Sequence, residues 1–360
     1  MKKLALCLLM SIGLSAHGQT FHALLMADTR DELLSGACER DLEVMHRQFE
    51  QISSAIGFQL SEKVISRDFF TVNELEKVLD SLRIAPDDVV FFYYTGHGYN
   101  VAGRADRFPI LHVDKKNIRR NPELSAIHER LRAKKPRLCI SLGDCCNDLL
   151  TSTRGMVSRK PMIRGLNLTD DSLNASYRRL FRIPAGDILI ASSQPPQQSS
   201  AHPDSGSFYT RSFTEALETA TRFAGNPTWE ALLSDTQARL GRHSATREKK
   251  SLYRVRLAGA EPSPSPVNFP EISRYLNSLI NTDIPDTKRF GLVTDTRRYF
   301  TEKARVNIYV NNTLGEVQPI EQVARRLYLN ADKIRQVNLI ERLSTVDGKV
   351  LRTVAIQEIW

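Results

Sequence analysis

The sequence predicts an α/β fold with a mostly parallel sheet flanked by helices, followed by a small C-terminal α+β domain. Two observations carry the sheet. Residues 88–95 (DVVFFYYT) and 137–142 (RLCISL) are near-continuous apolar runs of strand length, as in strands buried on both faces. Strand-like and helix-like patterns also alternate from residue 21 onward, the order that builds parallel sheets. A third observation points to chemistry. The first run ends in Gly96-His97-Gly98, the second in Gly143-Asp144-Cys145-Cys146-Asn147. Open α/β sheets hold their ligands at the carboxyl ends of their strands.

His97 stands 49 residues before Cys146. A thiol is only slightly ionised at neutral pH, so a cysteine nucleophile needs a base or a depressed pKa. An imidazole can take the thiol proton and return it to a leaving amine. The flanking glycines let a substrate backbone approach. The N–H groups of Gly98 and Cys146 are then candidates for an oxyanion hole. Each residue alone reads more simply as a strand-end histidine and a small buried thiol; the pairing favours catalysis.

T-G-H-G after one apolar strand and D-C-C-N after another, about 50 residues on, resembles the caspase-fold cysteine peptidases of the bacterial caspase-like and metacaspase group, whose cysteine motif is D-x-C. The resemblance covers roughly residues 21–259 and implies a caspase-like sheet and a polypeptide substrate. It makes His97 the catalytic histidine and Cys146 the nucleophile. Asp144 becomes the acid of the primary specificity pocket, which suits substrates with Arg or Lys before the scissile bond. Two departures stand out. The family often continues D-x-C-H-S-G, whereas Asn147 and Asp148 follow here. The acid that metacaspases place in the loop at 193–202 is missing, with Pro196 and Gln197 at the matching positions. Ser200 is a candidate for the substrate groove. No metal or other cofactor is required by this chemistry, and no ligand cluster argues for calcium.

In chain order, Lys2 and Lys3, an apolar run at 4–14 and Ala16-His17-Gly18 read as a signal peptide over residues 1–18. The run is short of the ~20 residues that span a bilayer, and no later stretch reads as a transmembrane segment. Export to the periplasm or medium is therefore expected. Losing Lys2 and Lys3 takes the net charge from +9 to +7. The charge is dispersed along the chain, which argues against nucleic acid as a partner. Cys38, Cys139, Cys145 and Cys146 remain, too clustered for a disulfide framework. Adjacent Cys145 and Cys146 would pair only with strain. Cys38 is open to packing or to reaching another thiol.

Residues 21–28 read as the first strand, with Asp28 at its end. Asp28 is a candidate second pocket acid, with Asp31 as its competitor and a cap or surface acid as the plain alternative. Leu42, Met45, Phe49, Ile52 and Ile56 mark one face of a helix over 37–56. A strand at 58–66 follows, then a helix at 71–82 opened by a Thr71/Glu74 capping box. Residues 109–113 read as an edge strand or hairpin, and 122–133 as a helix. Residues 149–184 look irregular and basic, with Arg154, Arg159, Lys160, Arg164, Arg178, Arg179 and Arg182. In the caspase fold this position holds a linker cut in many members, which implies self-cleavage; a solvated loop is the alternative. A strand at 186–192, helices at 211–223 and 229–240 and a strand at 251–257 complete a peptidase domain over 19–260.

A Pro/Ser linker at 261–267 separates it from an accessory domain at 268–360. Residues 269–300 give no clear pattern. A strand at 306–310, helices at 319–327 and 331–337 and a strand at 349–356 resemble a lysin motif within 306–356. That resemblance implies peptidoglycan contact; the plainer reading is an accessory α+β domain. The reading is thus a secreted cysteine endopeptidase. The alternatives are a catalytically idle caspase-fold scaffold or a cell-wall-binding protein acting through residues 268–360.

Overall fold

The computed structural model describes residues 18–149, 170–224, 226–242, 246–258, 267–310, 313–347 and 350–360. The proposed signal peptide, the linker proper and the first four basic residues of the 149–184 stretch lie outside these.

The chain opens with strand β1 (Thr20–Ala27), helix α1 (Ser35–Ile56), β2 (Gln59–Ser66), α2 (Val72–Ser81) and β3 (Val89–Thr95). Gly57 ends α1 with a left-handed φ of 74°, and its N–H returns to Ser53 and Ser54. Thr71 caps α2 by accepting from the Glu74 N–H. The expected hairpin is β4 (Gly98–Tyr99) against β5 (Ile110–Leu111). Then come α3 (Leu124–Ala133), β6 (Leu138–Asp144), α4 (Asp170–Tyr177), β7 (Ala185–Ala191), β8 (Ala201–His202) and β9 (Gly206–Ser207). Helices α5 (Phe208–Phe223) and α6 (Trp229–Leu240) and strand β10 (Leu252–Ala258) close this part.

The main sheet has the order β10-β7-β6-β3-β1-β2. All its pairs are parallel except β7 with β10. Successive side chains of a strand point to opposite faces, so β3 feeds two cores. Phe91 and Tyr93 pack with Phe21, Phe49, Phe213 and Trp229 beneath α1, α5 and α6. Phe92 and Tyr94 pack with Leu24, Met26, Leu75 and Leu131 beneath α2 and α3. Every residue of β3 and β6 is buried, which is why those runs read as unbroken apolar stretches.

The basic stretch at 149–184 is more ordered than expected where it is described. Helix α4 continues into a π-helical turn at Arg178–Arg182, and Tyr177, Leu180 and Phe181 are buried. Arg182 lies over the Phe58 ring and donates to the Ile56 carbonyl.

Residues 269–300, unassigned from sequence, form helices α7 (Phe269–Ile280) and α8 (Asp286–Thr294) before strand β11 (Phe300–Val310). Strand β12 (Thr313–Pro319), helix α9 (Ile320–Leu329) and strands β13 (Gln336–Leu339), β14 (Thr345–Asp347) and β15 (Val350–Ile359) follow. The second sheet has the order β12-β11-β15-β13, with β14 also on β15. Its core joins Ile272, Leu276 and Leu279 of α7 to Val306, Val323, Leu327 and Val354. The helix expected at 331–337 is not formed; a turn leads into β13, so the strand–helix–helix–strand order of a lysin motif is absent. Phe223 at the end of α5 packs on Ile340 and Ala355, joining the two parts. No described helix is long and apolar enough to cross a membrane.

Candidate active site

The register of the two central strands sets the site. Thr95 of β3 is paired with Asp144 of β6. His97 and Cys146 each lie two residues beyond that rung, on loops that run side by side. The Gly96 N–H points to the Asp144 carbonyl at 3.4 Å, and the Asn100 N–H donates to the Asp148 carbonyl at 2.8 Å. Gly98 is pressed against the cysteine loop. A Cβ there would lie 2.5 Å from Cys145 Sγ and 2.6 Å from the Cys146 carbonyl oxygen. Only glycine allows that approach.

The His97 backbone is fixed from two sides. Its carbonyl accepts from the Tyr94 hydroxyl at 2.6 Å and from the His112 N–H at 3.0 Å. Its ring Nε2 lies 3.0 Å from Asp31 Oδ2. The Lys115 ammonium sits 2.7 Å from the same oxygen and 3.5 Å from Asp28 Oδ2. Asp31 Oδ1 accepts the Leu33 and Leu34 N–H groups at the entry to α1, each at 3.0 Å. Burial pushes the Asp31 carboxyl up, but the Lys115 hydrogen bond, the His97 charge and the Leu33 N–H outweigh it and hold it at about 2. Asp28 goes the other way: burial raises it, against the pull of Lys115.

Cys146 is buried, with its thiol donating to the Ser199 carbonyl at 3.8 Å. The preceding Cys145 amide donates to Ser192 Oγ, and the Cys145 carbonyl accepts the Ser192 and Ser193 hydroxyls. The loop after β7 therefore holds the Cys145–Cys146 segment along its length. Cys38, Cys139, Cys145 and Cys146 are all thiols.

Below this rung lies a pair of carboxylates. Asp144 is fully buried. Its Oδ1 accepts from the Ser199 hydroxyl at 2.9 Å, and its Oδ2 from the Ser207 hydroxyl and from the N–H and hydroxyl of Thr210. Asp41, on α1, accepts the Thr95 hydroxyl and the Ser207 N–H, each at 2.8 Å. Burial, and then the charge of Asp144, push the Asp41 carboxyl up to about 7. Among the described residues no Lys, Arg or His forms an ion pair with either acid. The two acids are thus walled by hydroxyls and backbone N–H groups.

The caspase domain family matches residues 22–260, which is most of the chain and all of the main sheet with its helices. The chain belongs to the caspase-domain peptidases. No curated protein matches the sequence. Membership makes this a cysteine peptidase of the caspase fold with a polypeptide as substrate.

Within this caspase domain, the structure brings His97, Gly98, Asp144 and Cys146 to one edge of the sheet. Ser200 is there too, its hydroxyl bonded to the Lys249 ammonium. Asp28 lies at the end of β1, its N–H donating to the Thr95 carbonyl. It groups with Asp31 and Lys115 on the His97 side, and the acid that shares Ser207 with Asp144 is Asp41. Sequence reasoning passed over Asp41, Ser199, Ser207 and Thr210. One signal was available for Asp41. It precedes Met45 by four residues and Phe49 by eight, so it lies on the buried stripe of α1, where a carboxylate needs a reason.

Proposed function

We propose that this caspase-domain protein is an exported cysteine endopeptidase with a Cys146–His97 dyad, cleaving after Arg or Lys. His97 takes the Cys146 proton, and the thiolate attacks the scissile carbonyl. The oxyanion is held by the N–H groups of Gly98 and Cys146; the close packing of Gly98 on the cysteine loop supports this. As the C–N bond breaks, His97 gives its proton to the leaving amine. Water then adds to the acyl-enzyme thioester, His97 accepts a proton from it, and the thiolate departs to be reprotonated. The primary pocket is the Asp144–Asp41 pair, floored by Ser207 and Thr210 and flanked by Ser199 and Ser200. One observation carries this reading: Asp144 lies on the rung directly beneath His97 and Cys146, Asp41 of α1 joins it through Thr95 and Ser207, and among the described residues neither acid forms an ion pair. The signal-like residues 1–18 support export, and the separate second core supports an accessory domain at 268–360.

The test is a fluorogenic peptide panel varying only the residue before the scissile bond, with wild type and Cys146→Ala. Turnover on Arg or Lys peptides that vanishes in the variant is expected. Turnover on acidic or Asn peptides would keep the peptidase and reject the pocket. Masses of the same two preparations test self-cleavage, expected after Arg154, Arg159, Lys160 or Arg164 in wild type alone. Identical uncut masses would reject it.

A further inference from the structure

We propose that Asp31 is a positioning residue for His97, and that Lys115 tunes it, so that the dyad works as a Cys146–His97–Asp31 relay with a cation on its acid. This deepens the peptidase reading and rests on it. The geometry is specific. Asp31 divides its two oxygens between two tasks. Oδ1 is anchored by the Leu33 and Leu34 N–H groups, which fixes the carboxylate plane at the start of α1. Oδ2 faces His97 Nε2 at 3.0 Å and Lys115 Nζ at 2.7 Å. The side chain is mostly buried, about 10 % exposed, against 25 % for the imidazole. A carboxylate held this low in pKa stays an acceptor throughout the working range, so Nε2 carries the proton and Nδ1 the lone pair. That is the tautomer able to take a thiol proton at Nδ1. The same carboxylate stabilises the imidazolium formed when the proton arrives.

Lys115 sets how strongly. Around the His97 ring stand Asp28 and Asp31 from the β1–α1 loop and His112 and Lys115 from the segment after β5. The Tyr94 hydroxyl holds the His97 carbonyl, and Tyr99 packs on His112. Burial and the His97 and Lys115 charges hold His112 below its ordinary pKa, so it adds little positive charge. Asp31 and Lys115 therefore dominate, with opposite signs. Removing one must push the His97 titration opposite to removing the other. An acid serving only to cap α1 would do neither.

The experiment compares wild type, Asp31→Asn and Lys115→Met on a peptide that wild type cleaves, reading kcat, KM and the acidic limb of the pH–rate profile. Asparagine keeps the cap through its carbonyl oxygen and turns an N–H donor toward Nε2, enforcing the wrong tautomer. We expect Asp31→Asn to lower kcat about 100-fold or more with little change in KM, and its acidic limb to move down by about one unit. We expect Lys115→Met to keep kcat within about tenfold and to move the limb up by a similar amount. An unmoved limb with near-wild-type kcat in Asp31→Asn, or limbs moving the same way, would overturn the proposal while leaving the peptidase intact. A second readout is independent of substrate: the pH dependence of Cys146 alkylation, resolved by fragment mass spectrometry in the same three proteins. Opposite shifts there support the relay even if no peptide is turned over, an outcome that would sink the peptidase reading alone. Coincident profiles overturn the relay.

Discussion

Replacing Asp41 by asparagine should make the protein more stable and less active on basic peptides. Asp41 is fully buried beside Asp144, and burial together with that charge raises its carboxyl from 3.8 to about 7. The folded state thus holds this proton more tightly than the unfolded chain. Stability from this group is fully present below about pH 4 and is lost as pH rises toward 7. A shift of about three units corresponds to at most about 4 kcal/mol lost by pH 8. The introduced carboxamide would keep both hydrogen bonds, accepting from the Ser207 N–H and donating to the Thr95 hydroxyl, without the buried charge. In a Cys146→Ala background, where self-cleavage cannot interfere, thermal unfolding should show Asp41→Asn raised by several degrees at pH 8, at roughly 2–4 °C per kcal/mol. The two should converge near pH 4. With Cys146 restored, kcat/KM on an Arg peptide should fall about 30–150-fold, the loss of ~2–3 kcal/mol from one charged partner of the substrate cation. In wild type, KM for that peptide should rise below about pH 7, where Asp41 takes up the proton that arginine must displace; the variant should lack this rise. A destabilised Asp41→Asn at pH 8, or an equal gain at pH 4 and pH 8, would refute the reasoning.

Two further outcomes follow from packing. Gly98→Ala puts a methyl within 2.6 Å of Cys145 Sγ and the Cys146 carbonyl, so the loops must part, and activity should fall about 100-fold or more. Gly291→Ala, where nothing lies within 4 Å, serves as control and should leave activity unchanged while adding about 0.5–1 kcal/mol of helix stability. In the second sheet, Glu358 has a fully buried side chain paired to Arg326 at 2.8 Å. Arg326→Met strands that charge and should cost about 3 kcal/mol at neutral pH by denaturant unfolding. Adding Glu358→Gln should recover most of it, and no recovery would mean that Arg326 acts through packing alone.

The main sheet was legible because its central strands are buried on both faces, and no polar residue interrupts β3 between Val89 and Tyr94. The strand ends singled out His97 and Cys146 for the same reason: each apolar run stops just before one of them. Asp41 was less visible. Asp144, which shares Ser207 with it, is 103 positions away in sequence, and only the fold shows that α1 carries Asp41 over the carboxyl end of β3. Helix α4 and its π-helical continuation were hidden by the arginines of that turn. Leu173, Tyr177, Leu180 and Phe181 keep a helical spacing, yet the basic residues between them made the stretch look like a loop. The misplaced helix at 331–337 has a different cause. Val337 and Leu339 alternate with polar residues over only four positions of β13, too few to outvote a helical reading. What decides there is β15, which pairs with β13 and lies about twenty residues further along the chain.

Asn147 shows how a departure from the family pattern can be built into the site. It follows the nucleophile and is fully buried. Its side-chain N–H groups donate to the Arg107 and Ser193 carbonyls at 2.8 and 2.9 Å, and its Oδ1 accepts from Asn100. Its backbone N–H reaches the Gln197 carbonyl at 2.9 Å. One carboxamide thus ties the loop after β4 and the loop after β7 to the cysteine segment. The second of those loops carries Ser199, whose carbonyl receives the Cys146 thiol and whose hydroxyl holds Asp144. Cys146 and Asp144, the proposed nucleophile and pocket acid, are therefore positioned through the same strand-end loop. A neutral imidazole at this position offers one N–H donor and one acceptor nitrogen, so it could not donate to both carbonyls and accept from Asn100 together. Asn147 is thus a common anchor for the two loops that flank Cys146.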